Sequence, residues 1–423
     1  MRDFIAFVAA GVAEIFRGGR RYWTWMAVLA LLAGIGLACY VTQLRHGLVV
    51  TGMSDQVSWG FYIANFAFLV GVAAAAVLLV IPAYLFHRQD VKAVVLLGEG
   101  LAVAAVIAAM MFVLVDLGRI DRAWHLIPII GRFNWPQSLL AWDVVVLNGY
   151  LALNLAIPLY VHFCHWRGEQ PVLKAYFPFV VLAMFWAISI HTVTAFLFSA
   201  NAARPLWHTA LLGPRFIASA FVSGPAIIIL VLQAIRRETA YPVGDGVIRM
   251  LALVMTIALQ ISVFFVIAEL FTDFYNETSH AASIRYLFLG LHGAAGLKPW
   301  IWAAVLLNCA ALAILMVNPL REKQTTLNLA CGLAIVGIWT EKGMGLVVPG
   351  FIPTPLGEVF EYQPTAIELG IALGIWAVAA MIFTALAKAS IAIELGQVRR
   401  AGVRPAAPRR DAHDGALAQR GTG

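Results

Sequence analysis

The sequence contains ten apolar runs, each about as long as the roughly 20 residues that a membrane-spanning helix needs. Only 12% of its 423 residues are charged, against about 25% in soluble domains. The runs lack the strict alternation of a transmembrane barrel strand. We therefore predict an all-α polytopic membrane protein, with spans near 22–42, 59–86, 93–115, 139–163, 176–200, 214–235, 248–271, 299–317, 325–346 and 365–388.

The basic residues predict how these spans are oriented. With the amino terminus inside, 20 of the 29 lysines and arginines lie on the inner side and 9 on the outer side. The positive-inside rule then places both termini in the cytoplasm. We expect the protein to lie in a bacterial inner membrane. This distribution explains the net charge of +7 without a nucleic-acid partner. We expect an amphipathic lead-in at 1–21, a transmembrane domain at 22–395 and a disordered basic cytoplasmic tail at 396–423.

The four cysteines do not form a metal-binding pattern. Cys39, Cys164, Cys309 and Cys331 are widely separated, and the sequence has no CxxC or CxxCH motif. Iron–sulfur, zinc and c-type haem sites need clustered ligands. We expect none of these centres, and no other metal, in this chain.

The segment from Thr51 to Gly71 begins as a polar loop and continues as an apolar helix. Trp59 marks the boundary, where tryptophan commonly anchors a helix at the membrane surface. Asn65 lies inside the apolar part, and small residues at Ala67, Gly71 and Ala75 would let another helix approach closely. We expect this segment to join an outer polar pocket to a tight helix contact.

Ionisable residues inside the spans are the main functional candidates, because charges in a bilayer are costly and usually face a protein interior or a wet cavity. Asp143 and His191 fall in the outer half of their spans, and so do three glutamates near span ends, Glu269, Glu341 and Glu368. Glu99 lies toward the inner side, between two glycines. The terminal carboxylates could equally be helix caps or solvated ends.

An outer-half pocket with a histidine, a carboxylate, an asparagine and aromatic rings suits a quinone. Quinone carbonyls need hydrogen-bond donors, and their reduction or oxidation needs an acid or base such as histidine. Three alternatives remain: a secondary transporter, a purely structural anchor and a b-type haem protein. The haem would need two facing histidines, for which His191 is well placed and His292 weakly so.

Several separated motifs resemble the NrfD-like family, the membrane subunits known from polysulfide reductase. They are the Thr51–Gly71 segment, Asn134–Ser138 with Ala141–Asp143, PRFIASAFVSG from Pro214, Trp339–Lys342 and Tyr362–Glu368. Within the family, the chain looks most like the membrane subunits of DsrMKJOP sulfur-metabolism complexes. This resemblance implies two four-helix bundles with additional helices, and a site for menaquinone or ubiquinone near the outer surface.

The resemblance also implies partners and residue roles. An outward-facing iron–sulfur protein and cytochrome subunits would accompany the chain, which we expect to act as an oxidoreductase only within that complex. Asp143 would handle protons beside the quinone, with His46, Asn65, Trp59 and Trp142 around the ring. Glu99 would belong to an inner proton route. The catalytic role that we assign to His191 rests on its position alone.

Overall fold

The computed structural model describes residues 1–74, 76–276 and 279–400. It confirms the all-α fold and contains ten helices long and apolar enough to cross a membrane. These are α2 (Arg20–His46), α3 with α4 (Phe61–Ala74 and Val77–Tyr84), α6 (Val95–Asp116), α7 (Leu139–Arg167), α8 (Leu173–Ser199), α9 (Leu212–Glu238), α10 (Asp245–Asn276), α12 (Lys298–Met316), α14 (Gln324–Trp339) and α15 (Ala366–Glu394). Four short helices accompany them: α1 (Arg2–Ile15), α5 (Gln89–Lys92), α11 (Ser279–Phe288) and α13 (Asn318–Glu322).

The spans form two groups of four, with one further pair of helices. In the first bundle α3 packs against α6 and α8, and α7 packs against both α6 and α8. In the second bundle α9 packs against α10 and α14, and α12 packs against the same two helices. The remaining helices, α2 and α15, pack against each other and α15 also against α6. The two bundles expected from the family resemblance are therefore present.

Helix α3 lies at the centre of the molecule. All fourteen of its residues are buried, and it contacts α9 of the second bundle as well as its own neighbours. A methyl group added at Gly71 would lie 3.6 Å from the Cα atom of Ala220 on α9. The predicted close helix contact is thus present at Gly71, whereas Ala75 lies outside the described residues.

One end of the molecule is built from the longer loops, and we call it the loop-rich end. The Gly52 amide donates to the Glu368 carboxylate at 2.8 Å, which joins the loop after α2 to the start of α15. Glu368 also closes a capping box with Thr365 at this helix start. At Gly60 a side chain would collide with the Tyr362 ring, 2.4 Å from the added carbon. Glu368 is therefore a helix cap, the alternative that the sequence left open.

The opposite end carries Met1 and Arg400, the first and the last described residues. Helix α1 lies within the predicted lead-in, and its Phe7 ring packs edge-on against Trp166 of α7. Beyond α15, the Arg400 amide donates to the Trp166 carbonyl at 2.9 Å. Of the tail predicted at 396–423, residues 401–423 lie outside the described part of the chain.

Helix α14 continues into one π-helical segment, Thr340–Met344. A π segment widens the helix by one residue and occurs frequently at functional sites. Here it changes which side chains face the interior, and both Glu341 and Lys342 are buried. Neighbouring residues of one helix thus contribute opposite charges to the protein interior.

Candidate functional site

The first part of the site is a buried pair between α7 and α8. The Thr194 hydroxyl donates to Asp143 Oδ1 at 2.9 Å, and both residues are almost completely buried. The second carboxylate oxygen, Oδ2, has no hydrogen-bond partner among the described residues. Since such an atom costs about 1–3 kcal/mol when buried, it marks a position where a ligand or water would be stabilising.

His191 lies three residues before Thr194 on α8, so the two side chains share one face of the helix. The imidazole is 1% exposed, and neither ring nitrogen has a partner within the described chain. Thr194 is thus bonded to Asp143 and shares its helix face with His191, and we call these three buried side chains the Asp143 cluster. It offers one free carboxylate oxygen and both nitrogens of an imidazole.

Lys342 adds a cation to the same region. Its ammonium group lies 4.1 Å from the centre of the Phe216 ring, a cation–π distance. The Phe216 ring in turn packs against Phe198 of α8, with ring centres 5.9 Å apart. Gly71 makes room for the ammonium group, because a methyl group there would lie 3.3 Å from Nζ. Lys342 thus reaches from α14 toward the first bundle past the small residue of α3.

A second buried network surrounds Arg215, in the first turn of α9. Its guanidinium pairs with Glu269 of α10 and, at 3.2 Å, with Glu341. The Asn308 amide of α12 donates to the other oxygen of Glu341 at 2.8 Å. With Lys342, the formal charges of the two cations and two carboxylates sum to zero, so the bundle interior holds four ionisable groups without a net charge.

Aromatic rings lie beside this region at the loop-rich end. Trp59 stacks on Trp207 with ring centres 5.7 Å apart and contacts Phe198 and Phe351 edge-on. Phe198 is one helical turn beyond Thr194 on α8. Trp59 therefore lies at the surface side of the Asp143 cluster, and its role as a wall of the site stays a prediction.

Asn65 is placed differently from the expected pocket donor. Its side-chain oxygen accepts hydrogen bonds from the indoles of Trp339 and Trp376, at 3.0 and 2.9 Å. Its amide donates to the Phe61 carbonyl at 2.8 Å. The residue thus holds α3 to α14 and α15, and its oxygen is fully used.

His46 and Trp142 also point away from the cluster. His46 is exposed at the end of α2 and pairs with the Thr42 carbonyl of its own helix at 2.9 Å. The Trp142 indole donates to the Pro136 carbonyl at 2.7 Å and lies beside Trp135. The structure therefore does not bring these two side chains to Asp143, although Trp142 is its neighbour in sequence.

Glu99 lies near the opposite end of the first bundle. It is the fifth residue of α6, which starts at the end of the molecule where α1 lies, and it is 3% exposed. One carboxylate oxygen has no partner among the described residues. Tyr84 and Tyr150 are ionisable side chains near it. Tyr150 lies two turns from Asp143 along α7.

Two residues of the buried networks, Thr194 and Arg215, are absent from the candidates predicted from the sequence. The sequence could have indicated Thr194, because a hydroxyl three residues after a histidine in an apolar span shares the same helix face. Arg215 sits inside the PRFIASAFVSG motif, where it resembles an ordinary charge at a span end. An arginine in the first turn of an apolar span, with acids in two other spans, would have indicated an ion pair.

A family model described as "Polysulphide reductase, NrfD" matches residues 49–352. The chain belongs to this family. The matched region includes the Asp143 cluster, the Arg215 network and the π segment, so these features lie within the part that defines the membership.

Three relatives match along most of their length. A putative dimethyl sulfoxide reductase membrane subunit of Halobacterium salinarum is 28% identical, covering 85% of this chain and 89% of the relative. An Hdr-like menaquinol oxidoreductase integral membrane subunit of Archaeoglobus fulgidus is 25% identical, covering 86% and 91%. A selenate reductase subunit of Mesobacillus selenatarsenatis is 21% identical, covering 85% and 92%.

These names support a membrane subunit of a multi-subunit oxidoreductase, and they confirm the family that the motifs resembled. The protein is a multi-pass membrane protein of this family. The three relatives belong to differently described complexes, and none of their names identifies the DsrMKJOP branch. That finer assignment stays a prediction.

Proposed function

We propose that this chain is the quinone-interacting membrane subunit of a redox complex. The observation that carries the proposal is the buried cluster of Asp143, Thr194 and His191, with three unpartnered polar atoms beside an aromatic wall. One relative is described as a subunit of a menaquinol oxidoreductase. The substrate that fits these features is menaquinone or ubiquinone.

The cluster supplies the groups that quinone chemistry needs. Reduction of a quinone to a quinol takes up two electrons and two protons, and the reverse reaction releases them. An imidazole can donate a hydrogen bond to a carbonyl oxygen, and a carboxyl group can give or accept a proton. In this proposal His191 binds one quinone oxygen and Asp143 exchanges the proton, while the Thr194 hydroxyl keeps the carboxylate in one orientation.

The electrons would come from, or go to, a partner at the loop-rich end. Large apolar side chains are exposed there in two loops, among them Ile129 at 103%, Ile130 at 68% and Leu356 at 87%. Exposed apolar patches commonly mark interaction sites. We assign this surface to an iron–sulfur protein, with cytochrome subunits elsewhere in a DsrMKJOP-like assembly for sulfur metabolism.

The proposal also includes a route for protons from the end of the first bundle opposite the loop-rich end. Glu99 of α6 is buried near the opposite end of the first bundle, and Tyr150 of α7 lies two turns from Asp143 toward that end. Tyr150 itself donates to the Ala73 carbonyl at 3.3 Å. Glu99 would therefore deliver protons from the cytoplasmic side, through Tyr150 and bound water, to the acid at the quinone.

Quinone binding by the purified chain tests this proposal. A menaquinone analogue should quench the fluorescence of the tryptophans at the loop-rich end. Thr194→Val should weaken its binding by about five- to tenfold, because the Asp143 carboxylate then loses its fixed orientation. Thr192→Val, a partly exposed hydroxyl two residues away that donates only to the Ile188 carbonyl, is the matched control.

Equal binding by wild type and the Thr194 variant would contradict the placement of the site. Absence of binding by the wild-type protein, together with solute uptake into vesicles that contain it, would instead favour the transporter alternative. A protein that neither binds quinone nor transports solute would be an anchor.

A further inference from the structure

A second polar site lies at the other end of the second bundle, away from the proposed quinone site. It is a cavity of about 580 Å³ between the ends of α9, α10, α13 and α14. Three arginines from three different helices line it: Arg236, Arg249 and Arg321. The acids in its lining are Asp245 and Glu322, so the formal charge of the lining is +1.

Two of the arginines are held in place by the protein. Arg236 pairs with Asp245. Arg321 donates to the Leu315 carbonyl at 2.9 Å and to the Asn318 side chain. These contacts fix the two guanidinium groups at the cavity before any ligand arrives, which lowers the entropic cost of binding.

Arg249 differs from the other two. It is exposed, and the described residues provide it with no hydrogen bond or ion pair. Two glutamines of the lining are already paired, since the Gln324 amide donates to the Gln233 side-chain oxygen at 2.8 Å. Of the charged lining residues, Arg249 and Glu322 are both exposed and have no hydrogen bond or ion pair within the described chain, so the unpaired cation of this cavity is Arg249.

An apolar strip continues from Arg249 along α10. Leu253 lines the cavity and is 48% exposed, and Ile257 and Ile261, at the next two turns, are 51% and 44% exposed. The four residues are spaced by four, so they share one face of the helix. In a membrane protein this exposed face contacts lipid chains. A guanidinium group thus ends a strip that suits an acyl chain.

We propose that this cavity binds the phosphate headgroup of an anionic phospholipid. Arg249 and Arg321 would hold the phosphate oxygens, for which the planar guanidinium group is well suited. One acyl chain would lie along Leu253, Ile257 and Ile261. Basic pockets between membrane helices on the cytoplasmic side are known to bind such headgroups. The predicted orientation places this end of the second bundle on the cytoplasmic side.

The charge of the lipid is the first property to test. The full chain, purified in detergent, is mixed with phosphatidylglycerol or phosphatidylcholine, and lipid retained per protein is measured by native mass spectrometry. We expect phosphatidylglycerol to be retained at least fivefold more. Arg249→Gln should remove most of this preference, whereas Arg237→Gln, a neighbouring arginine 87% exposed and outside the cavity lining, should leave it unchanged.

A second arm separates a lipid from a free anion. Inorganic phosphate and glycerol 3-phosphate offer phosphate oxygens to the arginines but have no acyl chain, so they should compete poorly with phosphatidylglycerol. Leu253→Gln should weaken retention of the lipid and leave the weak binding of glycerol 3-phosphate unchanged. This variant changes no arginine contact.

Three results would overturn the proposal: equal retention of the two lipids by wild type, an undiminished preference in Arg249→Gln, or displacement of the lipid by millimolar inorganic phosphate. Elution of the variants at the wild-type volume on size exclusion shows that they are folded. Quinone binding is measured on the same samples and should not change, so a failure here is distinct from a failure of the proposed function.

Discussion

Replacing Arg215 by methionine should be among the most destabilising single changes in the second bundle. The guanidinium is buried between Glu269 and Glu341, with one nitrogen 3.2 Å from the Glu341 carboxylate. Methionine fills similar space without the charge. The variant therefore retains two buried carboxylates that have lost their shared cation.

The size of the effect follows from this geometry. Two unit charges 3.2 Å apart attract by roughly 5 kcal/mol at an effective dielectric constant of about 20. Removing one member of a buried ion pair typically costs about 3–5 kcal/mol. Proton uptake by one of the carboxylates limits the loss, so we expect the lower part of this range, about 3 kcal/mol.

The free energy of unfolding can be measured in mixed micelles by titration with sodium dodecyl sulfate, followed by the fluorescence of the 13 tryptophans. Arg119→Met is the control, because Arg119 pairs with Asp121 at the exposed surface. Exposed pairs contribute little, and we expect no measurable change there.

A double variant tests the cause of the loss. Arg215→Met combined with Glu269→Gln removes one cation and one carboxylate and leaves Glu341 with Lys342, so the formal charges again sum to zero. It should recover most of the stability lost in the single variant. If Arg215→Met unfolds like wild type, the network does not depend on the buried charges. If the double variant is no better than the single one, lost packing rather than uncompensated charge explains the effect.

Two further changes test the packing of α2 and α15 and the start of α15. Gly36→Ala should destabilise the protein by about 1–3 kcal/mol, since its new carbon would lie 2.5 Å from the Cα atom of Gly374. Gly332→Ala is the control and should not destabilise the protein, because its new carbon meets open space. Equal destabilisation by the two variants in the same titration would contradict the close contact of α2 with α15. Burial and the charge of Glu368 raise the pKa of Tyr362 well above its ordinary value, so the folded protein keeps a proton that the unfolded chain loses above about pH 10. The free energy of unfolding should therefore fall as the pH rises from about 10 to 11. The fall should be less steep in Tyr362→Phe than in wild type, and identical slopes in the two proteins would refute the role of Tyr362.

The positions of the spans were predictable because the length of an apolar run is a local property. The runs predicted near 139–163 and 365–388 are helices at Leu139–Arg167 and Ala366–Glu394. The depths of Asp143 and Glu99 were predictable for the same reason, since counting along a helix gives the distance from its end. Both lie toward the predicted ends of the first bundle.

The direction in which a side chain points could not be predicted as well. Successive residues of an α-helix differ by about 100° around its axis, so Trp142 contacts a surface loop while Asp143 is buried. The partners of Asn65 come from helices more than 270 positions away, and no local pattern identifies them. Composition and spacing therefore indicated which residues were unusual, but only the packed helices showed which of them meet.

The central claim is that Asp143 exchanges protons with a quinone held beside His191. Asp143→Asn keeps the shape of the side chain and can still accept the hydrogen bond from Thr194, but it cannot carry the proton. The decisive measurement is quinone turnover by the assembled complex containing this variant, with Asp55→Asn, an exposed acid in the Thr51–Gly71 segment, as the control.

We expect turnover to fall by about 10²- to 10⁴-fold in Asp143→Asn, with normal assembly and retained quinone binding, and to stay at the wild-type level in Asp55→Asn. Wild-type turnover in a correctly assembled Asp143→Asn complex would contradict the account.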